Sequence, residues 1–170
     1  MSDWTQAFVA LGSNLGDKQA HLDAAIAGLS AHPRIENLVE SPRYETDPMG
    51  PQDQPNYLNS ACQFLTELAP HKLLDVLQAI EIDRGRDRPS HADAIAALRW
   101  QARTLDLDLL MYGDEHINDE RLTVPHVGIA DRHFVLQPLF DLNPEIHVPG
   151  LGPVAELLAR QNVKLGCESH

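Results

Sequence analysis

Polar and apolar side chains alternate without a break through Thr104-Leu105-Asp106-Leu107-Asp108-Leu109. A period of two predicts a β-strand over 103–112, with Leu105, Leu107 and Leu109 turned to a core and Thr104, Asp106 and Asp108 on the other face. At about 3.3 Å of rise per residue the two aspartate α-carbons lie about 6 to 7 Å apart, near enough for the carboxylates to repel each other and call for a cation beside them. Earlier in the chain, Phe8-Val9-Ala10-Leu11 predicts a short strand ending in a Gly-rich turn, Gly12-Ser13-Asn14-Leu15-Gly16-Asp17, with Asp17 as a helix N-cap. Leu22, Ala25, Ile26 and Leu29 recur at helical spacing, and His32-Pro33 closes that helix.

Residues 35–46 predict a second strand, and the Pro- and Gly-dense stretch from Asp47 to Pro55 a loop. Residues 56–68 alternate again, with Tyr57, Asn59, Ala61, Gln63 and Leu65 on one side and Leu58, Ser60, Cys62 and Phe64 on the other. This segment is the expected antiparallel partner of the strand before it. Pro70 to Asp83 is the clearest helix, apolar through Leu73, Leu74, Leu77, Ile80 and Ile82, with Gln78 and Glu81 sharing another side. A long segment follows, 85–102, with a helical turn expected at 93–98. After the Asp-bearing strand come a turn at Gly113-Asp114, a small hairpin marked by Ile117 and Leu122, a helix over 131–142 and a short helix over 154–160. The order β-α-β-β-α-β predicts an α+β fold: a ferredoxin-like antiparallel sheet with helices on both faces, as a single domain spanning 1–170.

Composition narrows the function classes. The net charge of -12 argues against a nucleic-acid or anionic-membrane surface. The beginning of the chain lacks the basic and apolar regions of a signal peptide, so a cytoplasmic location is expected. Two cysteines, Cys62 and Cys167, are too few for a disulfide framework or a Cys-rich metal site. Against the acidic background Arg84, Arg86, Arg88, Arg99 and Arg103 fall in one interval that leads into the Asp106 strand. Arginine presents a planar fork suited to phosphate oxygens, and Mg²⁺ is commonly held by one or two carboxylates together with substrate phosphates. Taken together, the pair and the cluster point to a magnesium and polyphosphate site rather than a solvated sheet face.

The motifs resemble 6-hydroxymethyl-7,8-dihydropterin pyrophosphokinases of folate biosynthesis. The resemblance runs from Val9-Ala10-Leu11-Gly12-Ser13-Asn14-Leu15-Gly16 through Tyr44-Glu45-Thr46, Gly50-Pro51-Gln52-Asp53-Gln54-Pro55, Tyr57-Leu58-Asn59 and Arg103-Thr104-Leu105-Asp106-Leu107-Asp108 to Leu122-Thr123-Val124-Pro125-His126 and Arg132-His133-Phe134. It implies transfer of the terminal pyrophosphate of ATP to the pterin hydroxymethyl group, with AMP released. On this resemblance Asp106 and Asp108 hold two Mg²⁺ ions, and Arg86, Arg99 and Arg103 join them as catalytic residues. The ATP side is implied to include Gln78, Glu81, Arg88, Trp100, Leu109, Arg121, Thr123, His126 and Arg132, and the pterin side Thr46, Met49, Tyr57, Asn59 and Phe134, with Asn14 in support. ATP and a hydroxymethyl dihydropterin are the implied partners of a monomer. The chain departs from the usual family pattern at Gln101-Ala102, where Gly-Pro is usual, in a longer arginine loop around Ser90 to Leu98, and at Val127.

Two other classes stay open on sequence alone. A ferredoxin-like ligand-binding domain without catalysis has no need for two same-face carboxylates beside five arginines. A kinase of the same fold acting on a related pterin would transfer one phosphoryl group and leave ADP.

Overall fold

In the computed structural model the described residues are 4–14, 16–46, 56–83, 105–129 and 133–160. Four strands form the body of one antiparallel sheet: β1 (Thr5–Ser13), β2 (Ile35–Glu40), β4 (Tyr57–Thr66) and β5 (Asp106–Tyr112), in the order β2-β4-β1-β5. A short β3 (Tyr44–Thr46) also pairs with β4. The single strand expected over 35–46 is therefore two, separated by Ser41-Pro42-Arg43, because proline offers no N–H to a ladder and restrains the residue before it. Gly12 and Ser13, expected in a turn, are the last residues of β1 and pair with Asn59 and Leu58. The Asp-bearing strand lies at the edge of the sheet, with β1 as its only ladder partner among the described residues.

Alternation sends the two faces to separate cores. Val9, Leu11, Leu58, Cys62, Phe64, Leu107 and Leu109 pack with Leu22, Ala25 and Leu29 of helix α1 (Lys18–Ser30) and Leu73 and Leu77 of α2 (Pro70–Asp83). Each fully buried leucine contributes about 1.5–3 kcal/mol relative to an exposed one. Asp17 caps α1, its carboxylate accepting the Ala20 N–H at 3.1 Å. The opposite face, carrying Ala61, Leu110 and Met111, packs against Val135, Leu136 and Leu139 of α3 (His133–Leu142) and Val154, Leu157 and Leu158 of the helical residues 154–160. Helices thus cover both faces.

Strand β5 serves both cores by breaking its own alternation. Phe8 pairs with Met111 and Val9 with Leu109, so Leu110 is an extra residue at a bulge. Leu109 faces the first core; Leu110 and Met111 both face the second. Beyond β5, Gly113 turns the chain with φ of +55°, and β6 (Ile117–Asn118) pairs with β7 (Thr123–Val124) as the expected small hairpin. A second miniature hairpin, β8 (His147–Val148) with β9 (Gly152–Pro153), was not expected; its turn uses Gly150 at φ of +80°, and Gly152 opens β9 at +110°. Among the described residues no helix is long and apolar enough to cross a membrane.

Candidate active site

The sheet register gathers the sequence-predicted residues on the face shared with α3. One row across the sheet reads Tyr44, Asn59, Gly12, Asp106, because each residue is the Cα partner of the next. The adjoining row reads Ala61, Ala10, Asp108. Tyr57, two residues before Asn59 on the same face, pairs with Thr46. Gly12 thus lies between Asp106 on one flank and Asn59 on the other, while Ala10 and Ala61 in the adjoining row lie at the second core.

Gly12 belongs to this site for a steric reason. A Cβ there would lie 3.0 Å from Asn59 Oδ1 and 3.7 Å from Tyr57 Cδ1, so glycine lets both side chains lean over β1. Sequence reasoning placed it in a turn; the signal was its position between two alternating strands. The Asn59 Nδ2 group donates to Thr46 Oγ1 at 2.5 Å. Asn59 is 7% exposed, and this bond orients its amide. Phe134, near the start of α3, packs partly buried at the second core. The Tyr44 hydroxyl donates to the Asp141 carboxylate, which also accepts from Gln137 Nε2 at 3.1 Å, tying β3 to the end of α3. That bond raises the Tyr44 pKa.

Asp106 and Asp108 sit half-buried on this face, on either side of inward-facing Leu107. The described residues hold no group of three or more His, Cys, Asp or Glu able to bind a metal. Two hard carboxylates on one face are a donor set that suits Mg²⁺ completed by substrate phosphates. His126 lies just past β7 and is fixed twice over. Its N–H donates to the carbonyl of the bulge residue Leu110 at 2.9 Å, and its Nδ1 accepts the Gly128 N–H at 3.0 Å. Neutral His126 therefore carries its proton on Nε2, a donor at the atom away from the backbone.

The nucleotide-side predictions divide. Arg121 pairs with Asp75 at 2.7 Å and reaches Gln78 Oε1 at 3.4 Å, so Gln78 and Arg121 come together on the outer side of α2. Hydrogen bonding to Arg121 holds the Asp75 carboxyl below its ordinary range. Thr123 is half-buried on β7, beside Val124, and Leu109 lies on β5 one residue beyond Asp108. Glu81 turns inward from α2. It is 7% exposed, and its Oε2 accepts the backbone N–H of Leu107 at 2.8 Å, whereas Ile82, expected in the core, is 45% exposed. Asn14 is buried directly after β1. Met49, Arg86, Arg88, Arg99, Trp100, Arg103 and Arg132, with the Gln101-Ala102 departure and the 90–98 insertion, lie outside the described residues.

Comparison with known proteins identifies the family. The model for 7,8-dihydro-6-hydroxymethylpterin-pyrophosphokinase matches residues 8–144. A 2-amino-4-hydroxy-6-hydroxymethyldihydropteridine pyrophosphokinase of Haemophilus influenzae is 43% identical over 152 residues, covering 89% of this chain and 90% of that one. Its Pseudomonas aeruginosa namesake is also 43% identical, over 154 residues, with 91% and 90% covered. Among solved structures, a Plasmodium falciparum HPPK-DHPS protein matches with a TM-score of 0.69 at 14% identity, covering 95% of this chain and 43% of that chain. Another HPPK-DHPS structure reaches a TM-score of 0.72 at 13% identity, with 98% and 47% covered. The chain thus spans less than half the length of these structural relatives, which speak for the fold alone. Matched along most of its length by the family model and by relatives of nearly its own size, this chain belongs to the 7,8-dihydro-6-hydroxymethylpterin-pyrophosphokinase family.

Proposed function

We propose that the protein transfers pyrophosphate from ATP to the hydroxymethyl group of 6-hydroxymethyl-7,8-dihydropterin, yielding AMP and the pterin pyrophosphate in folate biosynthesis. Family membership supports the reaction, and one observation carries its location: the row in which Asn59 and Asp106 flank Gly12. This row joins a hydrogen-bonding aromatic pocket for a flat heterocycle to an acidic pair for phosphate-bound metal. The topology β1-α1-β2-β4-α2-β5, with strand order β2-β4-β1-β5, supports the ferredoxin-like description.

In this reading Tyr57 and Phe134 sandwich the pterin, Asn59 reads its edge, and Thr46 and Met49 line the same pocket, with Asn14 supporting it. Asp106 and Asp108 would hold two Mg²⁺ ions, which supply charge neutralisation at the phosphates. Arg86, Arg99 and Arg103 neutralise the transferring group, while Arg88, Trp100, Thr123, Arg132 and the Nε2 proton of His126 hold the nucleotide and its phosphates. Leu109, at the free edge of β5, turns its backbone N–H the same way as Leu107, offering a donor to the adenine edge. Gln78 and Arg121 flank the nucleoside end, and Glu81 stands behind it.

The pterin hydroxyl oxygen forms a bond to the β-phosphorus. The bond from that phosphorus to the α-phosphate oxygen breaks, AMP leaves with the electron pair, and the hydroxyl proton passes to solvent. Phosphoryl-type transfer is largely positioning and charge stabilisation, so a strong general base is not required. We further propose that the protein acts as a cytoplasmic monomer. The test is Asp106→Ala and Asp108→Ala: each should lower Mg²⁺-dependent AMP formation by about 10²-fold or more, the scale of a lost transition-state contact. Intact activity in either variant would contradict the assignment.

A further inference from the structure

The core stripe of α2 runs at four-residue intervals through Leu73, Leu77 and Glu81, and its last member carries a charge. Shifting the stripe by one residue would bury Ile82 and leave Glu81 in water. The fold does the opposite, with Glu81 7% and Ile82 45% exposed. Burying a carboxylate is costly unless it is hydrogen-bonded, and a break in local pattern of this kind concentrates at functional sites. The bond it makes lies one peptide from the acidic pair: Glu81 Oε2 accepts the Leu107 N–H at 2.8 Å, and Leu107 separates Asp106 from Asp108.

Strand β5 needs such a bond because it lies at the sheet edge. Its ladder to β1 fixes one side, and an edge strand presents a row of backbone N–H and C=O groups on the other. The Leu107 N–H points along that second side, toward α2. Side chains alternate about the backbone, so holding the Leu107 peptide fixes the direction in which the flanking aspartates leave the strand. A carboxylate acceptor makes a shorter and stronger bond than a neutral one.

We propose that Glu81 is a positioning residue for the acidic pair, clamping the free edge of β5 so that Asp106 and Asp108 present converging carboxylates to phosphate-bound cations. The proposal rests on the assignment of Asp106 and Asp108 to metal, and it gives Glu81 a role other than direct nucleotide contact.

Two variants of the full chain test it. Glu81→Gln keeps an acceptor oxygen without the charge. Glu81→Leu completes an apolar stripe and removes the acceptor, leaving the Leu107 N–H without its carboxylate partner. The first readout needs no metal: Leu107 amide hydrogen exchange, followed by NMR. Leu107 should be protected in the parent and in Glu81→Gln and should exchange about tenfold faster in Glu81→Leu, the equivalent of one lost hydrogen bond, while the Leu22 and Phe64 amides stay unchanged. The second is the Mg²⁺ concentration at half-maximal binding of a non-hydrolysable ATP analogue. It should rise about tenfold in Glu81→Leu and far less in Glu81→Gln, with pterin affinity unaltered in both.

Unchanged Leu107 exchange in Glu81→Leu would overturn the proposal, as would a Glu81→Gln protein as impaired toward Mg²⁺ as Glu81→Leu, since the charge itself would then be acting. Mg²⁺ dependence unaltered in Asp106→Ala and Asp108→Ala would overturn the underlying metal assignment instead. The Leu107 exchange result separates that failure from the failure of the Glu81 clamp.

Discussion

Gly12 and Asn59 face each other across β1 and β4 so closely that a Cβ on the glycine would stand 3.0 Å from the asparagine Oδ1. At that separation the side chain must yield, and the amide that yields is already held by Thr46. Gly12→Ala should therefore act on the pterin subsite first. Dihydropterin affinity is expected to fall about tenfold, with a stability loss of about 1–3 kcal/mol from overpacking. Equilibrium titrations with pterin and with an ATP analogue check this, since the ATP affinity should hold within a factor of about two.

The partner bond gives a second outcome. Thr46→Val keeps the side-chain shape and removes the oxygen that receives the Asn59 Nδ2 proton. The amide loses its fixed orientation, so pterin affinity should fall by about 1 kcal/mol, or roughly fivefold, and the Mg²⁺ dependence should not move. Fluorescence titration of the pterin in both proteins measures it.

Cys62 is fully enclosed in the first core, and burial pushes its thiol pKa well above the ordinary value. A raised pKa stabilises the fold below the unfolded value, with that contribution lost only as pH climbs toward the folded one. At neutral pH the thiol is therefore protonated and shielded. In a Cys167→Ser protein, a thiol reagent should label Cys62 on the timescale of global unfolding rather than of free thiol chemistry. Rapid labelling under native conditions would contradict the packing.

Asp119 accepts the backbone N–H groups of Arg121 and Leu122, both at 2.9 Å, and pairs with His71 at 2.7 Å. The Arg121 backbone bond is the largest influence holding its carboxyl below the ordinary 3.8. A depressed pKa gives stability that is complete above the unfolded value and lost as pH falls through the folded one. The melting-temperature gap between the parent and Asp119→Ala should be constant near neutrality and close below about pH 4. A gap that widened on acidification would have the wrong sign.

Much of this was legible from periodicity. Helix α2 runs over the residues its apolar spacing marks, Pro70–Asp83, and Leu105, Leu107 and Leu109 meet the core as alternation requires. The bulge at Leu110 was not legible, because two consecutive apolar residues facing one core are a response to α3 and not to local sequence. The burial of Glu81 was not legible for a related reason: it lies four residues after Leu77, but only the fold supplies the Leu107 N–H that its carboxylate accepts. Asp106, Asp108 and Asn59 were all visible within motifs, but their alignment across Gly12 depends on register between strands far apart in the chain.

The central claim concerns which bond of ATP is broken, and the nucleotide product reports it most directly. The protein would be incubated with Mg²⁺, ATP and 6-hydroxymethyl-7,8-dihydropterin, beside a control without pterin. AMP should form in step with pterin consumption and stay absent from the control. Formation of ADP, or AMP formed at the same rate without pterin, would contradict pyrophosphoryl transfer.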